Sequence, residues 1–257
     1  MTEKYYETAI IIRQEELLPG INSMWIKTDK IAEVAKAGQF LNLYCKDKSR
    51  ILPRPISICE IDKSDMAIRL VYRVIGEGTD EFSKLHTGDT IKVTGPLGNG
   101  FPIKQKHAII IGGGIGIPPM LELAKTFPGE KDIVLGYSNE LFLDGEFEKY
   151  GNVHIATVSG IYGTKGNVLD SIKENAISGD IIYACGPMPM LKAIKEYAES
   201  EEINIQCWLS LEERMACGIG ACLGCMTKSK NKDAHTQVNN KRICTEGPVF
   251  LSKEVVM

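Results

Sequence analysis

The chain has 257 residues, 44% of them hydrophobic, and a formal net charge of −3, which is length enough for two ordinary domains and a smaller module. This charge leaves no basic footprint for nucleic acid, and the longest apolar runs, such as Ala108-Ile-Ile-Ile111, fall far short of the roughly 20 residues that span a bilayer. The opening Met1-Thr-Glu-Lys-Tyr-Tyr6 has no signal-peptide pattern, so the expectation is a soluble protein of the cytoplasm, with no membrane contact.

Residues 1–102 read as short β segments separated by Gly, Pro and Asp. The segments are Thr8–Ile12, Ile21–Ile26, Phe40–Tyr44, Ile56–Cys59, Ala67–Val74 and Thr90–Thr94, each apolar or alternating. Strands this short at this spacing predict a small antiparallel β-barrel. From residue 103 to 210 the texture becomes α/β, with strands His107–Gly112, Asp132–Tyr137, Val153–Thr157 and Asp180–Cys185, and helices Met120–Lys125 and Leu191–Ala198. The run Gly112-Gly-Gly-Ile-Gly-Ile-Pro-Pro119 joins the first strand to its helix. Such a glycine turn lets backbone approach a dinucleotide while the helix N-terminus supplies partial positive charge. A parallel-sheet nucleotide domain is therefore expected over 103–210. Its ligand would lie at the strand ends, in the crevice open sheets provide.

Residues 211–257 hold Cys217, Cys222 and Cys225, spaced by four and then two residues, with Cys244 after a gap of eighteen. This is the C-x4-C-x2-C…C ligand spacing of a [2Fe-2S] cluster of the plant type. Gly218, Gly220 and Gly224 suit a loop that must fold around an inorganic core with its N–H groups close to sulfur. Zinc is the alternative, but structural zinc usually takes two C-x2-C-type pairs and only one is present. Disulfides would need an oxidising compartment, and four unrelated buried cysteines are the remaining reading. The gap, with Lys228, Lys230, Lys232 and Asp233, reads as a solvated hairpin or loop. Of the other thiols, Cys45, Cys59 and Cys207 read as core packing.

Several motifs carry a family resemblance. Arg54-Pro55-Ile56-Ser57 resembles the R-x-x-S flavin motif of the ferredoxin reductase superfamily, in which the arginine neutralises the pyrophosphate and the hydroxyl sits by the isoalloxazine ring. Guanidinium is well shaped for that phosphate contact. Val71-Tyr72-Arg73 and Gly78-Thr79 stand where the superfamily places further flavin contacts, with a short helix Asp80–Leu85 expected after a Thr79 cap. Gly95-Pro-Leu-Gly-Asn-Gly-Phe101 resembles the closure of the flavin barrel. Gly113, Gly114 and Gly116 resemble the superfamily's nicotinamide-nucleotide loop, and Cys185-Gly186-Pro187 the motif that sets the nicotinamide against the flavin. Glu140, with no cation beside it in Gly136–Glu140, favours NAD over NADP; Lys165 leaves a route to a 2′-phosphate.

Barrel, nucleotide domain and cluster in this order resemble, over essentially the whole chain, the electron-transfer subunits of dihydroorotate dehydrogenase B. The resemblance implies FAD and a [2Fe-2S] cluster as cofactors and NAD as co-substrate. It also implies a partner catalytic subunit that carries FMN and oxidises dihydroorotate in pyrimidine biosynthesis, in an assembly of two copies of each. Two alternatives stand beside it: an NAD(P)H-dependent reductase feeding a ferredoxin, hydrogenase or oxygenase, and a zinc-stabilised interaction module on a reductase fold. No carboxylate pair or catalytic triad is visible, so no residue of this chain is assigned acid, base or nucleophile chemistry.

Overall fold

The computed structural model describes residues 3–104, 106–232 and 237–257. The start of the chain forms β1 (Tyr5–Leu18), in which burial alternates: Ala9 and Ile11 point inward and are buried, Ile10 and Ile12 are exposed. It is followed by β2 (Ile21–Lys27), the short α1 (Ile31–Val34), β3 (Phe40–Tyr44), β4 (Arg54–Asp62) and β5 (Ala67–Arg73). The helix α2 (Glu77–Ser83) and β6 (Thr90–Leu97) complete the N-terminal part. The six strands close in the order β1-β2-β5-β4-β3-β6, every neighbouring pair antiparallel. Met24, Ile26, Leu41, Leu43, Leu70 and Val93 fill the interior. The expected antiparallel barrel is present, its first strand longer at both ends than the alternating segment indicates.

The second unit runs β7 (Ala108–Gly113), α3 (Pro118–Thr126), β8 (Lys131–Tyr137), α4 (Asp144–Phe147), β9 (Asn152–Thr157), β10 (Thr164–Lys165), α5 (Val168–Glu174), β11 (Ile181–Cys185), α6 (Met188–Glu199) and β12 (Gln206–Ser210). The C-terminal segment adds β13 (Met226–Lys228), β14 (Asn240–Arg242), α7 (Ile243–Glu246) and β15 (Val249–Leu251). One sheet orders β10-β9-β8-β7-β11-β12-β15, parallel except that β15 runs antiparallel to β12. β13 and β14 pair antiparallel within the stretch expected to be a hairpin or loop, and Asp233 lies outside the described residues. Among the described residues no helix is long and apolar enough to cross a membrane.

Barrel and sheet are joined at β4. Only Arg54–Ser57 pair with β3, and beyond a bulge at Cys59 the strand has lost that neighbour. Helix α3 takes its place: Ile61 N–H donates to Glu122 Oε2 (2.8 Å), and Lys125 Nζ donates to Ile61 O and Glu60 Oε1 (3.0 Å each). Glu122 is 4% exposed, and burial raises its carboxyl pKa. Nearby, Arg69 of β5 donates to Glu146 of α4 (2.6 Å) and to Ser23 Oγ (3.0 Å). At the far end of the sheet, Asp132 sits between His107 and His154, its carboxylate oxygens 2.8 and 2.9 Å from their Nε2 atoms.

Two outcomes follow from these contacts. Glu122→Ala leaves the buried Ile61 N–H without its acceptor, while Lys125 keeps Glu60 and the Ile61 carbonyl, and is expected to cost about 1–3 kcal/mol in urea unfolding, with Glu122→Gln costing less. Burial pushes the Asp132 carboxyl up, but hydrogen bonds from His154, His107 and Asn152 outweigh it and hold the pKa below its ordinary value. The stability this adds is present above the ordinary carboxylate range and is lost as pH falls through the lowered value. Denaturation midpoints of Asp132→Asn should therefore fall less on acidification, from about pH 7 to about pH 3, than those of the wild type.

Candidate functional site

A cavity of ≈ 810 Å³ opens where β4, β5 and the start of α2 face the segment leading to the cysteines. Arg54, Pro55, Ile56, Ser57, Val71, Tyr72, Arg73, Gly78 and Thr79 all line it. The antiparallel register of β4 with β5 brings the first seven together, since Ile58 stands opposite Leu70. Arg54 lies against the first turn of α2, where a Cβ at Gly78 would stand 2.0 Å from its Nε. Glycine leaves room there for the guanidinium as it is placed, and the resulting cradle of cation and backbone fits a phosphate group. The helix begins earlier than expected. Gly76 is its N-cap, and Thr79 stands inside the first turn, its hydroxyl accepting from Ile75 N (3.0 Å) and donating to Gly76 O (3.0 Å). Tyr72 is 1% exposed; burial pushes its pKa up to about 12, and its hydroxyl accepts from Gln14 Nε2.

The glycine loop sits on the carboxyl edge of the parallel sheet. β7 ends at Gly113, residues 114–116 form one 3-10 turn, and α3 starts on Pro118, where a missing N–H costs nothing. β7 and β11 are neighbours, so Gly112 pairs with Cys185 and the loop packs onto Cys185-Gly186-Pro187. A Cβ at Gly116 would lie 2.5 Å from the Cys185 carbonyl and from Gly186 N, and one at Gly113 would lie 2.4 Å from Met190 Sδ. Ile115 extends from this loop into the flavin-type cavity, so the two motifs share a wall. Cys185 is 1% exposed, and burial pushes its thiol pKa up. A thiol so held is not a nucleophile at neutral pH. Glu140 and Lys165 are both exposed, just beyond β8 and in β10.

The four cysteines of the C-terminal segment meet two by two. Cys222 N–H reaches Cys217 Sγ (3.4 Å), as does Ile219 N–H (3.5 Å), and Cys244 N–H reaches Cys225 Sγ (3.4 Å). Gly224 N–H reaches Cys222 Sγ (3.4 Å). Gly218 and Gly220 take φ of +68° and +89°; Gly224 does not, and Leu223 beside it does instead, at +57°. Burial pushes the Cys217 thiol up, but N–H donors from Ile219, Cys222 and Ala221 and the Cys222 thiol bring it down to about 6. Burial and the neighbouring Cys225 push Cys244 up to about 12. Among the described residues no three His, Cys, Asp or Glu side chains group as ligands of a metal ion. Thiols in pairs, each pair served by backbone N–H groups, suit a binuclear core better than the single point zinc requires. Cys222 is exposed and Cys225 and Cys244 are buried, so the group has an outer and an inner side.

Sequence reasoning missed residues that complete these walls. Ser210, Glu212, Arg214 and Met215 border the cavity just ahead of Cys217. The charged run Glu212-Glu-Arg214 inside a motif-rich stretch was the only hint of this. Glu212 is open to solvent on one side yet enclosed by cavity walls that raise its carboxyl pKa. The turn after β6 also acquires a role: a Cβ at Gly98 would stand 2.4 Å from Pro248 Cδ, so the cluster segment is received there.

A phosphate cradle on an antiparallel barrel, a nucleotide loop sharing its cavity, and paired thiols beside both define an oxidoreductase of the ferredoxin-reductase type with an iron–sulfur module. Comparison with known proteins is specific. Residues 212–256 match the iron-sulfur cluster binding domain of dihydroorotate dehydrogenase B. A dihydroorotate dehydrogenase B (NAD(+)) electron transfer subunit from Geobacillus sp. (strain WCH70) is 40% identical over 98% of each chain. One from Caldanaerobacter subterraneus subsp. tengcongensis is 45% identical over 85% of this chain and 86% of its own. The chain belongs to the family of dihydroorotate dehydrogenase B (NAD(+)) electron transfer subunits. Among solved structures, that of an NADH-dependent reduced ferredoxin-NADP oxidoreductase superposes with a TM-score of 0.86 at 27% identity, over 97% of this chain and 90% of the other. An Amycolatopsis cytochrome P450 reductase shares the fold at TM-score 0.66 and 20% identity, over 79% of this chain and 69% of its own.

The Gly116 contact is testable. A methyl there collides with backbone, which cannot rotate away, so Gly116→Ala is expected to cost about 1–3 kcal/mol and to weaken NADH binding in fluorescence titration. Gly145→Ala, where a Cβ meets nothing within 4 Å, serves as the control.

Proposed function

We propose that this chain is the NAD-linked electron-transfer subunit of a dihydroorotate dehydrogenase complex, partnered by a catalytic subunit that carries FMN, in an assembly of two copies of each. The observation that carries the reading is a single cavity bordered by the flavin-type strands, by Ile115 of the nucleotide loop and by the segment 210–215 that leads into the cysteines. Residues 1–102 hold FAD, with Arg54 on its pyrophosphate and Ser57, Val71, Tyr72 and Thr79 along its length. Residues 103–210 hold NAD on Gly113, Gly114 and Gly116, with Cys185-Gly186-Pro187 aligning the nicotinamide. Residues 211–257 would hold the [2Fe-2S] cluster on Cys217, Cys222, Cys225 and Cys244.

When bound, the cluster supplies one-electron transfer and FAD supplies the exchange between single electrons and the hydride that NAD+ takes. The chain's own contribution is to bind, orient and exclude water. Cys185 remains a neutral thiol that packs and does not attack, and Glu212 is the one ionisable carboxyl whose pKa the cavity walls raise. Dihydroorotate oxidation belongs to the partner, a division that the name of the relatives, electron transfer subunits, supports. The likeness to the NADH-dependent ferredoxin-NADP oxidoreductase supports a second reading, a reductase that exchanges electrons with a ferredoxin.

The test is anaerobic co-expression with an FMN-containing dihydroorotate dehydrogenase subunit, purified through a tag on this chain. Addition of dihydroorotate and NAD+ is expected to yield NADH. Cys222→Ser should abolish that NADH formation and leave orotate production with an artificial dye intact; loss of both activities would refute the division of labour. Failure to bind the subunit, with NADH-driven reduction of ferredoxin, would favour the second reading.

A further inference from the structure

Strand β3 alternates cleanly, and Leu41 and Leu43 enter the barrel core with no exposure. Phe40 and Asn42 therefore point outward. Outward positions on a barrel strand normally meet water, yet these two are 4% and 0% exposed, because the cysteine segment covers them. Asn42 Nδ2 donates to the carbonyl of Cys217 (3.1 Å), and the Asn42 backbone stands in register with Pro55 of the cavity strand. The approach is tight: a Cβ at Gly218 would lie 2.3 Å from Asn42 Nδ2. Asn42 Oδ1 is buried without a hydrogen-bond partner. A half-satisfied amide costs about 1–3 kcal/mol, so it is a poor way to fill space, and its contribution lies in what the Nδ2–H holds.

The neighbours extend the same contact. The Phe40 ring lines the cavity and belongs to the apolar cluster that contains Cys225 and Cys244. A second barrel asparagine secures the other cysteine pair. Just beyond Cys244, Asn99 Nδ2 donates to Glu246 O (3.0 Å) and Val249 O (2.8 Å), and its Oδ1 accepts from Val249 N (3.2 Å).

We propose that Asn42 is a positioning residue for electron transfer: its amide pins the Cys217 loop to the strand beside the flavin motif, fixing the separation of the two centres across the Phe40 ring. Asn99 fixes the Cys244 side in the same way. This rests on the FAD and [2Fe-2S] reading above. Electron transfer falls steeply with separation, so a small drift of the loop slows that step and leaves hydride arrival at the flavin alone.

The experiment uses the full chain with both groups bound, mixed anaerobically with NADH in a stopped-flow spectrometer. Flavin bleaching reports hydride arrival; bleaching of the cluster bands reports the electron step that follows. Asn42→Leu, and Asn42→Asp, which keeps the shape but removes the N–H donor, are expected to keep wild-type FAD content and flavin reduction rate. The cluster step should slow by about 10-fold, in the range that loss of an outer hydrogen bond to a metal site costs, and the electron paramagnetic resonance spectrum of the reduced cluster should change. Loss of iron with FAD retained supports the proposal too, since it places the effect on the cysteine loop. Unchanged cluster rate and spectrum in both variants overturns it, as does joint loss of FAD and iron, which would make Asn42 a residue of barrel packing. A wild type that holds FAD but shows no [2Fe-2S] spectrum overturns the underlying reading itself and is recognised before any variant is made.

Discussion

The exposed edge of β4 is the constraint on which the rest of the structure depends. A strand cannot leave buried N–H and C=O groups unpaired, and β4 loses its β3 neighbour after Ser57. Glu122 and Lys125 of α3 satisfy both backbone groups of Ile61, so the nucleotide unit docks against this strand, with Arg69 of β5 and Glu146 of α4 adding a second contact. The consequence is functional geometry. The flavin-type motif is at the start of β4 and the nucleotide loop is at the start of α3, so docking strand to helix brings the two motifs to one cavity. A buried carboxylate is expensive when alone, and here its charge is met by Lys125 and by the N–H it accepts.

The cysteine segment is tied to both units rather than hung from one. β15 completes the parallel sheet as an antiparallel edge strand on β12. On the barrel side, Asn42 and Asn99 hold the two stretches that bear the thiol pairs. Gly218 takes a φ of +68°, which favours glycine, and a Cβ there would stand 2.3 Å from Asn42 Nδ2. The result is a group with a buried inner side, at Cys225 and Cys244, and an exposed outer side, at Cys222. Such asymmetry suits a relay that takes electrons from outside and passes them inward.

Electrostatics follow the same division. Backbone N–H groups around Cys217 favour its thiolate, the form in which a cysteine binds a metal. Cys185 is fully enclosed, and burial outweighs its hydrogen bond with the Ser210 side chain, so it stays protonated. Two cysteines in motifs of similar appearance thus have opposite chemistry, and the difference lies in which polar groups face each sulfur.

Much of this was legible in the sequence because it is local. Short apolar or alternating segments between turn residues marked the six barrel strands, the glycine run marked the turn between β7 and α3, and cysteine spacing marked the cluster loop, all properties of a few consecutive residues. The cap of α2 was misplaced by a few residues because Gly76 and Thr79 are both competent there, and only the backbone path chooses between them. Asn42, Asn99 and Glu122 could not be read at all. Asn42 and Glu122 are ordinary polar residues in apolar stretches and Asn99 sits in a glycine turn, and the role of each lies in a partner far away in the chain. The sequence by itself determined which elements form and which chemistry each motif can support. Only the tertiary structure decided that cavity, nucleotide loop and thiols converge, because that depends on unpaired backbone groups finding partners across the chain, and no local pattern encodes which partner they find.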